Sequence, residues 1–465
     1  MMAAGSDRDM RVPMAEPTPP KPLHARRVIK LVLELGSVLL ATGARTADVE
    51  TTIRSVASSL GAPDVQASVT FSSITVSVTP SEDEEPLTVV RLVRQRSSDY
   101  TRLAAASSLV RAVHEGRVDL DQAVNELAQI QKLPPPYPVW LLFVASAVSA
   151  AGTTVLFGGG LIDAAATLAI GLLAPPLVRR LMRGNIPPFF RVAFSTALVT
   201  ALAVAAVGLG APINGGLVVT GGLLRFLPGA ALVAGMRDLI EQSIVSGSAR
   251  LAEALLLAAA VALGATAALA AGGALGVSLT VSTMGGQAWM IPVEMVAAVA
   301  ACVLYGVQVG IPRFALAGTA AVAAAGWFVY SGLNWTSDAI LATGVSAAVI
   351  GVLAGFLARR NRTPATIWVV PATLPLLPGL LLVRGMLAGG GFESLTILAT
   401  AVATAFILGV GAAGGDIAFQ AFRRLDERVM RPIMRPAVQA LQSGVDLVFG
   451  AREERASAPP DSTQT

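Results

Sequence analysis

A Pro-Gly pair occurs twice in the apolar part of this 465-residue chain, inside two similar segments. The segments read LPGAALVAGM (Leu227–Met236) and LPGLLLVRGM (Leu377–Met386), and they lie 150 residues apart. Proline has no N–H and obstructs the preceding helical turn, so carbonyls lose their partners there, while glycine permits close approach. Two such breaks that meet could bind the amino and carboxylate groups of a small zwitterion. The predicted binding residues are Pro228, Gly229, Pro378 and Gly379.

A kink that only aids packing is the alternative for each break. Thr220, Thr373 and Asn214 lie near the breaks in the sequence. Their hydroxyl and amide groups are predicted either to contact the bound molecule or to join neighbouring helices.

Ionisable side chains in apolar segments are costly, which makes them candidates for function. Arg225 lies three residues before Pro228, and the sequence predicts that it takes part in binding. Proton coupling is predicted for three further residues, Glu294, Arg384 and Asp238. For Arg384 and Asp238, as for Glu241 and Asp416, a position at the membrane interface is the alternative.

The composition indicates a membrane protein. Hydrophobic residues make up 54% of the chain and charged residues 14%, against about 25% charged in soluble proteins. A membrane-spanning helix needs about 20 apolar residues. By that measure, ten spans are predicted at 138–157, 160–178, 191–209, 213–236, 251–272, 289–307, 312–331, 338–358, 365–387 and 395–415.

The 150-residue offset lays the first five spans on the last five. Because each half has an odd number of spans, the second half must cross the membrane in the opposite sense, as in many secondary transporters. Arginines are concentrated in alternate loops, which places both termini in the cytoplasm of a bacterial cell with the spans in its inner membrane. These arginines are Arg179, Arg180, Arg183, Arg191, Arg237, Arg250, Arg313, Arg359, Arg360 and Arg362.

The first 137 residues have the composition of a soluble α+β domain. Hydrophobic spacing predicts helices at 26–42, 46–60, 101–115 and 119–132, and alternation predicts strands at 65–71 and 74–78. The alternation changes phase at Ser72–Ser73, which indicates a bulge or a hairpin turn. Glu82–Pro86 is predicted to be a loop.

The predicted fold is therefore a mainly α-helical polytopic membrane protein with ten transmembrane helices in a 5+5 inverted repeat and a small N-terminal α+β cytoplasmic domain. The predicted boundaries are a disordered N-terminus (1–25), the cytoplasmic domain (26–133), membrane repeat one (134–287), membrane repeat two (288–416), an amphipathic helical segment (417–449) and a disordered tail (450–465).

Several classes of function find no support in the sequence. The single cysteine, Cys302, allows no intrachain disulfide, and His24 and His114 lie too far apart to form a ligand cluster, so neither a metal nor another cofactor is expected. Walker A, nucleophile-elbow and H-E-x-x-H motifs are absent, so we expect coupling to an ion gradient rather than enzymatic activity. Because membrane topology explains the arginines, no nucleic-acid partner is expected.

Residues LELGSVLLATGARTADVETTIRSVASSLGAPDVQASVTFSSITVSV (Leu33–Val78), followed by ten spans with LLPGLLLVRGM (Leu376–Met386), resemble the bacterial threonine/serine exporter family. The resemblance covers roughly residues 28–430 in the same domain order. It implies export of L-threonine and L-serine driven by the proton-motive force, with a cytoplasmic N-terminal domain. It brings no established set of functional residues.

The leading hypothesis is a secondary transporter that exports small neutral amino acids by alternating access of two inverted repeats, with protons and the lipid bilayer as its other partners. The alternative is a membrane-anchored receptor or regulatory protein that signals through its cytoplasmic domain. A hydrolase using Ser72 and Ser73 is weaker, because the sequence shows no positioned base. Whether the chain forms a homo-oligomer is left open.

Overall fold

The computed structural model describes residues 22–425, apart from 63, 80–84, 94–98, 183, 185, 280–290, 336–337 and 389–390. The chain divides into two compact units. Unit 1 comprises Met1–Val139, Asp238–Ala252 and Val309–Arg313, and unit 2 comprises Trp140–Arg237, Glu253–Gln308 and Phe314–Thr465. The predicted tail (450–465), most of the predicted amphipathic segment (417–449) and most of the predicted N-terminal segment (1–25) lie outside the described residues.

Unit 1 contains four helices and a three-stranded antiparallel sheet of order β1-β2-β3. Its elements are α1 (Pro22–Ala41), α2 (Thr46–Ser59), β1 (Gln66–Val69), β2 (Ser73–Val78), β3 (Leu87–Leu92), α3 (Tyr100–His114) and α4 (Leu120–Gln131). The four predicted helices and the two predicted strands are present within a few residues. The phase change at Ser72–Ser73 is a hairpin turn, in which the Thr70 N–H donates to the Ser73 carbonyl at 2.9 Å.

Helix α1 begins earlier than the sequence predicts, so residues 22–25, which were expected to be disordered, are helical. The physical reason is local packing. Ala25 is fully buried, and His24 Nε2 lies 2.8 Å from the Leu60 carbonyl at the end of α2.

Strand β3 was not predicted. It pairs with β2, and the hydroxyl groups of Ser77 on β2 and Thr88 on β3 form a hydrogen bond, with their oxygens 2.8 Å apart. However, the strand exposes Val90 and Leu92, so its apolar residues do not alternate between a buried and a solvent-facing side. Without alternation, the sequence gives no strand signal there.

The core of unit 1 forms where α1 crosses α2 and β2. Leu35, Leu39, Ile53 and Ile74 are buried there. Gly36 lets the α1 backbone lie close to the side chains of Ile53 on α2 and Ile74 on β2. A Cβ at that position would lie 2.8 Å from Ile53 Cδ1 and 3.2 Å from Ile74 Cδ1.

Every predicted span contains a helix or a pair of helices. They are α5 (Val139–Leu156), α6 (Leu161–Leu181), α7 (Pro188–Gly208), α8 (Gly215–Leu224), α9 (Gly229–Ile240), α10 (Ile244–Ala274), α11 (Ile291–Gln308), α12 (Ala315–Asn334), α13 (Ala339–Asn361), α14 (Thr366–Ala372), a 3₁₀ turn (Leu374–Leu376), α15 (Gly379–Leu387) and α16 (Gly391–Leu425). Helix α16 runs past the predicted boundary at residue 416 into the segment expected to be amphipathic.

The described helices are those of a polytopic membrane protein. Seven are long and apolar enough to cross a bilayer. An eighth span results if α14 and α15, which are bent by 45° at the turn between them, are counted as one. Helices α8 and α11 are apolar but shorter. The count of ten spans and the 5+5 repeat remain predictions.

Small residues bring α13 and α16 into backbone contact within unit 2. A Cβ at Gly351 would lie 3.1 Å from Gly415 Cα, and a Cβ at Gly415 would lie 2.8 Å from the carbonyl carbon of Ala348. Such contacts through small residues are a general means of membrane helix association.

We expect Gly415→Ala to lower the melting temperature of the detergent-purified protein, because the new methyl group has no space against α13. Overpacking of this kind costs about 1–3 kcal/mol. Gly414→Ala is the matched control, since a Cβ there has no neighbour within 4 Å. Thermal unfolding followed by tryptophan fluorescence measures both variants. Equal melting temperatures for the two would show that α13 and α16 are not in backbone contact.

Candidate functional site

The first Pro-Gly break separates α8 from α9. After Leu224 the chain makes a tight turn, in which the Phe226 N–H donates to the Leu223 carbonyl at 2.9 Å and the Leu227 N–H to the Leu224 carbonyl at 3.1 Å. Helix α9 then begins at Gly229. The Pro228 carbonyl becomes its first acceptor and receives the Leu232 N–H at 3.0 Å.

The second break, between α14 and α15, has the same hydrogen bonds 150 positions later. The Leu376 N–H donates to the Thr373 carbonyl at 3.1 Å, and the Leu377 N–H to the Leu374 carbonyl at 3.2 Å. The Pro378 carbonyl accepts the Leu382 N–H at 3.0 Å. The duplicated sequence therefore folds into a duplicated local structure.

The two breaks meet inside unit 2. A Cβ at Gly229 would lie 2.7 Å from Leu377 Cδ1 of the second break. Reciprocally, a Cβ at Gly379 would lie 3.3 Å from Leu227 Cδ1 and 2.5 Å from Leu224 Cδ1 of the first break. Each glycine thus receives leucine side chains from the opposite break.

Both predicted threonines are buried beside the breaks, and their hydroxyls bond to their own segments. Thr220 Oγ1 donates to the Gly216 carbonyl at 2.8 Å, and Thr373 Oγ1 donates to the Val370 carbonyl at 3.1 Å. Each hydroxyl oxygen keeps a lone pair with which to accept from a ligand. Asn214 is not at the break: it caps the opposite end of α8, where its side chain accepts from the Leu217 N–H at 3.3 Å.

Arg225 ends α8 just before the first break. Its guanidinium carbon lies 4.9 Å from the centre of the Phe226 ring, and the side chain lines a cavity with Arg179 and Arg191. Arg384 lies half-buried in α15.

Glu294 lies half-buried in α11. The sequence predicts that a Glu294 carboxylate near Arg225 or Arg384 binds a proton or pairs with the substrate. Across the described parts of the chain, no ion pair joins Glu294 to Arg225.

A buried ion pair that the sequence did not predict connects α9 to α16. Arg237 Nη2 donates to Asp416 Oδ2, and both side chains are about 95% buried, with exposed fractions of 6% and 5%. Gln420 Nε2 donates to the same carboxylate oxygen at 3.2 Å. Arg237 was expected in a loop; this is wrong, because α9 continues to Ile240 and holds Arg237 in its last turn. The position of Asp416 at the membrane interface stays a prediction.

A second group of charges lies in unit 1, where the residues that follow α9 join the α+β elements. Arg250 Nε lies 2.9 Å from Asp238 Oδ2, and Arg250 Nη2 donates to the Ala44 carbonyl at 3.1 Å. Arg45 forms ion pairs with Glu241 and, at 2.7 Å, with Asp48. Arg250 was expected in a loop but is buried within α10. Burial is tolerated there because the Asp238 carboxylate and the Ala44 carbonyl both contact its guanidinium group.

Asp238 is fully buried inside the protein. Burial raises the pKa of its carboxyl group, and this effect exceeds the lowering by the Arg250 guanidinium. Asp238 therefore takes up a proton more readily than an ordinary aspartate.

Ser72 and Ser73, the residues of the hydrolase alternative, form the β1–β2 hairpin. Ser73 Oγ lies 2.8 Å from Thr70 Oγ1, and the Ser72 carbonyl accepts the Val93 N–H at 2.8 Å. These contacts stabilise the hairpin. Over the described residues, no group of three or more His, Cys, Asp or Glu side chains could hold a metal ion.

We expect Asp416→Asn to destabilise the protein strongly, because it removes the Asp416 charge from beside the buried Arg237 guanidinium. Removing one partner of a buried pair costs about 3–5 kcal/mol. Asp121→Asn is the control, since Asp121 pairs with Arg27 on the exposed surface and such pairs contribute about 0–1 kcal/mol. Melting of the purified variants measures both effects. An Asp416→Asn protein as stable as the Asp121→Asn protein would contradict the buried pair.

Comparison with known proteins agrees with the resemblance noted in the sequence. One relative, from Mycobacterium tuberculosis and named "Probable threonine/serine exporter", is 32% identical over 411 residues, covering 85% of this chain and 77% of its own. Another, from Corynebacterium glutamicum and named "Threonine/serine exporter", is 24% identical over 413 residues, covering 85% and 83%. No solved structure matches the chain significantly.

Two family models match in succession, the first ending near the end of α10 and the second beginning near the start of α11. The model described as "Putative threonine/serine exporter" matches residues 30–272, and the one described as "Threonine/Serine exporter, ThrE" matches residues 294–450. Together they include both Pro-Gly breaks and both groups of buried charges. The chain therefore belongs to the threonine/serine exporter family, a family of multi-pass membrane transporters for amino-acid export.

Proposed function

We propose that this protein exports L-threonine and L-serine across the bacterial inner membrane by alternating access, driven by the proton-motive force. The observation that carries the proposal is the reciprocal contact between the two Pro-Gly breaks, which have matching hydrogen bonds. Paired interrupted helices are typical of substrate sites in transporters built from inverted repeats.

The arrangement suits a small zwitterion because helix ends of both signs meet at the breaks. Helices α9 and α15 begin there, and their N-terminal ends favour the carboxylate of an amino acid. Helix α8 and the turn after α14 end there, and we propose that their carbonyls and the Thr220 and Thr373 oxygens accept from its ammonium group. Pro228, Gly229, Pro378 and Gly379 set these ends in position.

The contacts across the breaks indicate how access is controlled. Leu377 covers Gly229, while Leu224 and Leu227 cover Gly379. A bound amino acid must displace these side chains, so the present contact represents a closed site. We propose that the five-span halves move against each other about this contact, with both termini in the cytoplasm.

Proton coupling is assigned to carboxylates that adjoin the moving helices. Asp238 ends the segment that begins at the first break, and its raised pKa favours proton uptake. Glu294 in α11 and the cationic Arg384 in α15 are proposed to take part. The Arg237–Asp416 pair connects the same segment to α16, and protonation of Asp238 would weaken its attraction to Arg250.

We expect everted vesicles that contain the protein to accumulate labelled L-threonine when a proton gradient is imposed, and a protonophore to abolish the accumulation. Pro228→Ala with Pro378→Ala should lower the initial rate at least about tenfold, because alanine restores the N–H and favours a continuous helix. Pro176→Ala is the matched control, since Pro176 lies exposed inside the apolar helix α6.

The outcomes separate the parts of the proposal. Wild-type flux in the double variant would show that the breaks are only kinks. Failure of the wild-type protein to accumulate threonine or serine in a saturable way would overturn the exporter function for these substrates. Accumulation that persists with the protonophore would overturn proton coupling alone.

A further inference from the structure

A cavity of about 470 Å³ lies in unit 2, where the end of α6 meets the start of α7 and the end of α8. Three arginines line it, one from each helix end: Arg179, Arg191 and Arg225. None of the described residues that line the cavity is acidic. It therefore concentrates positive charge next to the first break.

The arginines are available to a ligand. Arg179 and Arg191 are exposed, and Arg225 is half-buried over the Phe226 ring without an ion pair in the described chain. Arg191 Nη2 makes one long hydrogen bond, 3.5 Å, to the Ile186 carbonyl. Guanidinium groups bind phosphate and carboxylate oxygens in pairs, so three of them can hold one phosphate group.

The surroundings of the cavity favour a lipid over a soluble anion. Phe143, Val178 and Met182 form apolar walls beside the arginines. The outer faces of α6 and α7 expose large apolar side chains, as expected of surfaces that contact acyl chains: Leu172, Leu173, Leu177, Leu181 and Phe190. A zwitterionic amino acid fits less well, because no lining carboxylate would accept from its ammonium group.

We propose that this cavity binds the phosphate of an anionic phospholipid headgroup, with Arg179, Arg191 and Arg225 as its ligands. Basic pockets between membrane helices bind such headgroups through the same combination of charge and apolar walls. The proposal does not depend on which molecule the protein transports. Since Arg225 lies three residues before Pro228, a bound lipid would hold the end of α8 that leads into the first break.

The test is phosphatidylglycerol binding to the full-length purified protein, measured by native mass spectrometry against phosphatidylcholine of the same acyl chains. We expect selective binding of phosphatidylglycerol. Arg179→Gln with Arg191→Gln should weaken it about thirtyfold, since each arginine near a headgroup contributes about a factor of five. Arg180→Gln is the matched control, because Arg180 adjoins Arg179 on the same helix but does not line the cavity.

Salt gives a second test that needs no variant. At about 1 M salt the screening length is only ~3 Å, so phosphatidylglycerol binding should fall to the level of phosphatidylcholine. Three results would each overturn the proposal. They are equal affinity for the two lipids, an equal loss of phosphatidylglycerol affinity in the Arg180→Gln and double variants, and phosphatidylglycerol binding that does not change with salt. Tighter binding of glycerol phosphate than of phosphatidylglycerol, or displacement of the lipid by L-threonine, would assign the cavity to a soluble ligand instead.

Discussion

The reciprocal contact between the two Pro-Gly breaks, in which leucines of each break lie against the glycine of the other, is the constraint on which the rest of the structure depends. A helix that stops inside an apolar region leaves polar backbone groups, and lipid offers no partner for them. Here each break forms a tight turn that satisfies part of its own backbone, and leucine side chains of the opposite break cover the glycine. The two interruptions are thus tolerated as a pair. A larger side chain at either glycine would compete with the leucines for the same space. The contact therefore requires a small residue at positions 229 and 379.

The helix that begins at the first break, α9, also carries two buried charged residues. Arg237 and Asp238 are consecutive residues near the end of α9, and each is buried in an ion pair. Arg237 binds the carboxylate of Asp416 on α16, while Asp238 lies beside Arg250 in unit 1. A buried charge is tolerated only with its partner, so both pairs resist separation. Helix α9, which begins at the first break, therefore ends with two consecutive residues in buried ion pairs.

How much could be read from the sequence differs from element to element. The apolar spans and the breaks were predictable, because hydropathy and the missing proline N–H act locally. The meeting of the breaks followed from the repeat, although the leucine contacts that close it did not. Strand β3 was missed, since Val90 and Leu92 are exposed and remove the alternation. The Arg237–Asp416 pair was missed because its partners lie 179 residues apart and each was explained by a loop or an interface. Only the packing of α9 against α16 shows that both are buried.

Whether the two breaks must separate during transport can be measured directly with an engineered disulfide. Cys302 is the single cysteine of the chain, so Cys302→Ala gives a background in which Gly229→Cys and Leu377→Cys can be joined across the contact. Threonine flux in vesicles is then compared before oxidation, after oxidation and after reduction, with each single-cysteine variant as control. A closed site formed by the two breaks predicts that the disulfide forms readily, that flux stops on oxidation and that reduction restores it. Unchanged flux in fully cross-linked protein, or failure of the two cysteines to cross-link, would contradict it.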